Sequence, residues 1–145
     1  MKVVTQTDIR KTFDAELCSL LPDMGLTIKE VAWQNANFEA KNQRLFLQPY
    51  LLPAQDEATA LGYPCFVLLS GVYQVSFFQL KNTGLEQMEK AVDVLLSAFP
   101  IGRVLDCCGR RLVVNQSYRG TTIEEEGRAM TPVSLAYYCH VWQGR

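Results

Sequence analysis

The stretch Cys65-Phe66-Val67-Leu68-Leu69-Ser70-Gly71-Val72-Tyr73-Gln74-Val75-Ser76-Phe77-Phe78-Gln79-Leu80 lies within a run, 58 to 80, that has no charged side chain. About 20 apolar residues can cross a bilayer as a helix, so length alone permits a membrane span. The contents argue otherwise. Gly62, Pro64, Ser70, Gly71, Gln74, Ser76 and Gln79 interrupt the run, and beyond Val72 the residues Gln74 and Ser76 share one side while Val75, Phe77 and Gln79 share the other. A period of two is the signature of a strand. The stretch reads as a hairpin about Ser70-Gly71, or as one long strand kinked there, in a chain that stays in water. A sheet therefore sits at the centre of the fold.

The flanks supply the other elements. Ile9, Phe13, Leu17 and Leu20/Leu21 recur at helical spacing, with Asp8 or Thr7 as the expected N-cap and Leu21-Pro22-Asp23-Met24-Gly25 as the stop. Thr27 to Trp33 reads as a short strand and Gln34-Asn35-Ala36-Asn37 as a turn. Arg44 to Leu52 reads as a second strand, in which Pro49 signals an edge or a bulge because it cannot donate to a ladder. Ala54 to Tyr63 is small and polar, hence a loop. After the central stretch, Thr83-Gly84-Leu85-Glu86 matches a capping box, and Leu85, Met88, Val92, Leu95 and Phe99 follow at helical spacing until Pro100 and Gly102. Arg103–Asp106 and Arg111–Gln116 read as strands about a tight turn at Cys108-Gly109. Residues 119 to 129 read as a polar loop around Glu124-Glu125-Glu126, and Pro132 to Trp142 alternates as a last strand. Strands joined by short turns must be antiparallel. The expected fold class is α+β: a mainly antiparallel, at most mixed, β-sheet with two α-helices packed on one face. At 145 residues, 1–145 is expected to form a single domain.

The chemistry of the chain is sparse. Lys and Arg number 14 against 15 Asp and Glu, a net charge of −1, which disfavours a protein that wraps a phosphate backbone. Glycines never fall closer than seven apart, so there is no dinucleotide or P-loop signature, and G-x-S-x-G is absent. The cysteines at 18, 65, 107, 108 and 139 form no C-x-x-C and are odd in number, which suits free thiols in a reducing compartment and no metal site. Met1 to Asp8 lacks the apolar core of a secretory signal. The single histidine, His140, alternates with Cys139 and Val141, which point to the opposite face, so Cys139 cannot serve as its nucleophile. No catalytic residue, cofactor or metal ligand is expected. Trp33 and Trp142 are expected as half-buried sheet residues. The charged residues that invite a role are Glu124, Glu125 and Glu126, with Arg128 in the same loop, and the basic set Arg103, Arg110, Arg111 and Arg119; together they are candidate subunit-interface residues.

Several stretches, taken in order, carry a family likeness. Val31-Ala32-Trp33-Gln34-Asn35-Ala36-Asn37-Phe38 follows the N-terminal helix, and Leu45-Phe46-Leu47-Gln48-Pro49-Tyr50-Leu51-Leu52-Pro53 is a strand ending in L-L-P. The most specific part is Ser70-Gly71-Val72-Tyr73-Gln74-Val75-Ser76-Phe77-Phe78, then Lys81-Asn82-Thr83-Gly84. A helix ending at Phe99-Pro100 and the final Pro132-Val133-Ser134-Leu135-Ala136-Tyr137-Tyr138 complete the pattern. Over residues 9 to 142 the chain resembles the tail terminator-like proteins of long-tailed bacteriophages, among the minor tail and tail-completion proteins of phages and prophages. It departs from the pattern at Phe78-Gln79-Leu80, where many relatives place a proline before the glycine turn.

The resemblance implies a structural, non-enzymatic virion protein. It implies a ring of identical subunits, a hexamer, that caps the growing tail tube, ends polymerisation of the tube protein and offers a surface for joining the head. The implied partners are its own copies, the tail tube protein and head–tail connector proteins, with neither a membrane nor a specific nucleic acid. The implied location is the bacterial host cytoplasm during assembly and then the virion tail. Alternatives are a head-side connector or tail-completion protein, and a small-ligand-binding domain built around His140.

Overall fold

The computed structural model describes residues 3–34, 36, 38, 44–58, 65–80, 84–125 and 127–143. The elements run α1 (Gln6–Met24), a 3-10 turn (Ile28–Glu30), β1 (Leu45–Pro53), β2 (Glu57–Ala58), β3 (Cys65–Leu80), α2 (Glu86–Ala98), β4 (Val104–Cys107), β5 (Arg110–Arg119), β6 (Ile123–Glu125) and β7 (Arg128–Gln143). The strands form one seven-stranded antiparallel sheet in the order β1-β3-β7-β5-β4, with β2 added to β3 and β6 to β7. Both helices lie on one face of it, as expected. Neither described helix is long and apolar enough to cross a membrane.

The uncharged stretch from Cys65 to Leu80 is one long strand rather than a hairpin. β3 pairs with β7 over 16 residue pairs, from Cys65↔Gln143 to Leu80↔Arg128. At roughly 3.3 Å per residue these two strands form a spine about 50 Å long. Its odd-numbered residues face the helices: Tyr73, Val75 and Phe77 on β3, and Val133, Leu135, Tyr137 and Cys139 on β7, all at most 1% exposed. β5 presents Leu112 and Val114 to the same face until a bulge between Val114 and Gln116 reverses its pattern. Gly71 permits the passage of β3 between its neighbours. A Cβ there would lie 2.5 Å from the Leu52 carbonyl oxygen and 2.7 Å from the Tyr137 hydroxyl, at a φ of +158°.

α1 buries Ile9, Phe13, Leu17, Leu21 and Met24, one stripe at steps of three and four. Its cap is Thr5, upstream of the expected Thr7 or Asp8. Asp8 instead completes the box from the third helical position: its N–H donates to Thr5 Oγ1 at 3.3 Å, and the Thr5 N–H donates to Asp8 Oδ2 at 2.9 Å. Gly25, at φ 75°, ends the helix. Phe13 is the hub of the core. It stacks on Tyr73 at 4.7 Å between ring centroids and tilts against Tyr137 at 5.5 Å and Phe99 at 6.0 Å. Polar pins fix this packing in register. The Tyr73 hydroxyl donates to Asp14 Oδ1 at 2.5 Å, the Tyr137 hydroxyl donates to Gln6 Oε1 at 2.6 Å, and Gln6 Nε2 donates to the Ser70 carbonyl at 3.2 Å.

Four local expectations are corrected. Thr27 to Trp33 is no strand: a second capping box, with the Thr27 N–H donating to Glu30 Oε2 at 2.6 Å, winds residues 28–30 into a 3-10 turn, and Val31 makes only an isolated parallel bridge to Leu47. The second helix starts at Glu86 behind Leu85, without a side-chain cap. Gly84 adopts φ +80°, which a first helical residue cannot have, so the box expected on Thr83 does not form the helix start; Thr83 itself lies outside the described residues. Within the expected 119–129 loop, residues 123–125 pair with β7, and β7 begins at Arg128, four residues before the expected Pro132. The expected loop from Ala54 to Tyr63 likewise contains β2, while 59–63 lie outside the described residues. Trp142 is a half-buried sheet residue, as expected, whereas Trp33 is half-buried but lies outside the sheet, between the 3-10 turn and β1.

The two edges of the sheet differ. On β1, the backbone groups of positions 47, 49, 51 and 53 face away from β3, and two of these residues are proline. The Leu47 carbonyl accepts from the Ala32 N–H at 2.7 Å, and the Leu51 N–H donates to Gln34 Oε1 at 3.3 Å. β4, at the other edge, pairs with β5 alone among the described strands.

Candidate functional site

The face of the sheet away from the helices is open toward one end, although further along it Phe46 and Ser76 are at most 7% exposed, with the Phe38 ring centre 5.0 Å from that of Phe46. At the end where β3 begins and β7 finishes, the β4–β5 turn stands beside this face. Cys108 at φ 52° and Gly109 at φ 84° form the two-residue turn expected there, of the kind whose twist suits a hairpin. Next to it, Phe66, Val104, Val113, Tyr138 and His140 line a groove of about 720 Å³, with Arg110 and Arg111 on its margin. Phe66 is 43% and Val104 40% exposed. The Arg110 guanidinium lies 5.7 Å from the Phe66 ring centre, and Trp142 meets Phe66 edge-on at 5.0 Å. His140 is exposed, 5.8 Å from the Tyr138 ring, while Cys139 is buried on the helix side, where burial pushes its thiol up to about 11. The two side chains are on opposite faces, so they cannot form a nucleophile–base pair.

The basic residues expected as one set are spread along the molecule. Arg103 is an internal staple. It donates to the Ala98 carbonyl at 2.5 Å and to Glu16 Oε1 at 2.6 Å, and its guanidinium lies 5.1 Å from the Phe99 ring centre. It thus ties the negative C-terminal end of α2 to α1, a favourable place for a cation. Arg110 and Arg111 flank the turn. Arg119 is exposed opposite Val133, roughly 25 Å further along β5 at the usual strand rise. Arg128 lies beside Phe46, 5.0 Å from that ring centre, where Phe46 stacks on Phe78.

Glu124 and Glu125 occupy β6, opposite Ala129 and Arg128, at the other end of β7 from the arginine turn. Glu126 lies outside the described residues. Thr122 and Thr131 hydroxyls meet at 2.7 Å and anchor the hairpin. β6 therefore lies at the Arg128 end of β7, with Arg119 opposite Val133, four positions further along that strand than Ala129, while Arg110 and Arg111 stand at the other end.

A surface that sequence reasoning did not pick out lies on the helix side. α1 and α2 leave an open groove of about 1010 Å³ lined by Leu20, Val94, Ala98, Glu86, Glu89 and Asp93 among others. The acids at 86, 89 and 93 share one face of α2, a spacing readable in the sequence; their meeting with the end of α1 is not. Among the described residues, no group of three His, Cys, Asp or Glu side chains could hold a metal ion.

A family model described as phage tail terminator protein matches residues 8–137, from the first turn of α1 to the middle of β7. A solved structure bearing no functional name is similar at a TM-score of 0.72 and 24% identity, over 93% of this chain and 95% of that one; it shows the fold. Another solved structure, the virion of a native gene transfer agent particle, aligns at a TM-score of 0.47 and 14% identity, over 96% of this chain and 92% of that one. No curated protein matches.

Proposed function

The chain belongs to the phage tail terminator protein family, and from that premise we propose that it assembles into a closed ring, a hexamer, that caps the tail tube. It is a structural protein of the phage tail, located in the virion. In the proposed role the ring ends polymerisation of the tube protein and presents the surface to which head–tail connector proteins join. Assembly takes place in the cytoplasm of the bacterial host. The observation that carries this reading is the family match itself, which takes in both helices but for the first two residues of α1, and every strand of the sheet but the last residues of β7.

The architecture is physically suited to such a role. A closed ring requires a head-to-tail contact, in which one patch of each subunit meets a different patch of the next. The two layers of this fold present different surfaces, helices on one side and a partly open sheet face on the other. Arg110 and Arg111 at one end of β7, and Glu124, Glu125, Arg119 and Arg128 toward the other, are the proposed contact residues, together with Glu126; Arg103 contributes by holding the helices in place.

The test is assembly with purified tail tube protein, followed by sedimentation and negative-stain imaging. Rings seated at tube ends, and tubes whose length stops increasing once the protein is added, are the expected outcome. Tubes that lengthen unchanged, with no density at their ends, would overturn the proposal.

A further inference from the structure

The two layers carry opposite charge around apolar floors. In the helix groove, Leu20, Val94 and Ala98 form the floor, and Glu86, Glu89 and Asp93 stand along one side. These acids follow at three and four residues, a spacing at which like charges on a helix repel. None of the three has an ion-pair or hydrogen-bond partner for its side chain among the described residues. Lys90 is the one cation among the lining residues. Leu85, at the mouth of the groove, is 39% exposed. On the sheet side the signs are reversed: exposed Phe66 and Val104 are bordered by Arg110 and Arg111, held out on a hairpin whose two-residue turn fixes their direction.

We infer that these two surfaces meet between neighbouring copies of this chain, the arginine turn of one copy entering the α1–α2 groove of the next. The inference rests on the ring reading and adds to it which patches close the ring. The helices and the open sheet face lie on opposite sides of the β-sheet, so a single chain cannot bring the two together. A head-to-tail contact can, with every subunit giving one surface and receiving the other. Exposed apolar side chains on both surfaces supply the area removed from water. The Arg111 side chain, facing the acids at 89 and 93, sets the register and the preferred partner.

Cys108, exposed at the tip of the turn, provides the test. Asp93→Cys is introduced into the full chain, assembly is allowed on purified tube protein, and mild oxidation follows. The expected result is a reductant-sensitive ladder that extends past the dimer and disappears when Cys108→Ser is added. Crosslinks that stop at the dimer, or that persist without Cys108, would overturn the inference. Charge exchange gives an independent readout. Glu89→Lys with Asp93→Lys should lower ring yield at least tenfold, and adding Arg111→Glu to the same chain should restore it. If rings form on tubes but ignore all three positions, this contact is wrong and the ring stands. If the unaltered protein forms no ring on tubes, the ring reading fails and this inference fails with it.

Discussion

The two faces of the β-sheet are built on different principles. The face under the helices is apolar for most of its length, and hydroxyl and amide contacts fix its register: Tyr73 with Asp14, Tyr137 with Gln6, and Gln6 with the Ser70 carbonyl. The other face mixes aromatic rings with arginines and leaves Phe66, Val104, Tyr118 and Ile123 at least 40% exposed. The first face stores stability. The second is free to vary its chemistry without unfolding the chain, and that is where an assembly surface can be placed.

Substitutions should separate the two faces by the size of their effects. The largest loss is expected for Phe13→Ala. It removes the ring that contacts Tyr73, Tyr137 and Phe99 at once and should destabilise the fold by about 3–5 kcal/mol in denaturant titration. Gly71→Ala comes next, at about 1–3 kcal/mol, because its Cβ would meet the backbone oxygen of Leu52, which cannot rotate away. A loss below 0.5 kcal/mol would mean that the β1–β3 approach is looser than described.

Asp14 gives a smaller, pH-dependent effect. Burial raises its carboxyl above the usual range, against the Tyr73 hydrogen bond and the charge of Arg10. A raised carboxyl binds its proton more tightly in the folded state. Its contribution is therefore full below the ordinary carboxylate range and is lost as pH rises through the raised value. Asp14→Asn should flatten that part of the stability–pH curve; a curve that falls as steeply as before would show that another group titrates there. The smallest stability effects belong to the open face. Arg111→Glu, and Glu124→Lys with Glu125→Lys, should each change stability by no more than about 0.5 kcal/mol. Their effect should appear in sedimentation of the assembled protein. Unchanged assembly and tube length in the Glu124 and Glu125 variants would remove β6 from the contact.

The elements that sequence made legible are those whose signal is local and periodic. The stripe Ile9, Phe13, Leu17, Leu21 fixes the buried side of α1, the alternation from Val133 to Val141 fixes β7, and Cys108-Gly109 marks the β4–β5 turn. The misreadings arise where two local signals compete. Thr27-Ile28-Lys29-Glu30 holds β-branched residues that suggest a strand, yet its Thr and Glu close a capping box within four residues. Glu124 and Glu125 look like a loop because they are charged, although backbone pairing with β7 ignores the sign of a side chain. For the candidate site the barrier was distance. Nothing near Arg103 in the chain reveals that Glu16, 87 positions earlier, claims it. Nothing in α2 alone reveals that its acids border a groove shared with α1.

The unequal edges of the sheet limit how copies of this protein can grow. Strand addition from one molecule to the next needs two receptive edges per molecule, one to give and one to take. Along β1, prolines at 49 and 53 bring no donor, and Ala32 and Gln34 already occupy Leu47 and Leu51. At the other edge β4 pairs with β5 alone among the described strands, so strand addition there could join two molecules while β1 offers little to a third. A closed assembly of this chain is therefore better served by side-chain contacts through its faces than by a continuous β-ribbon.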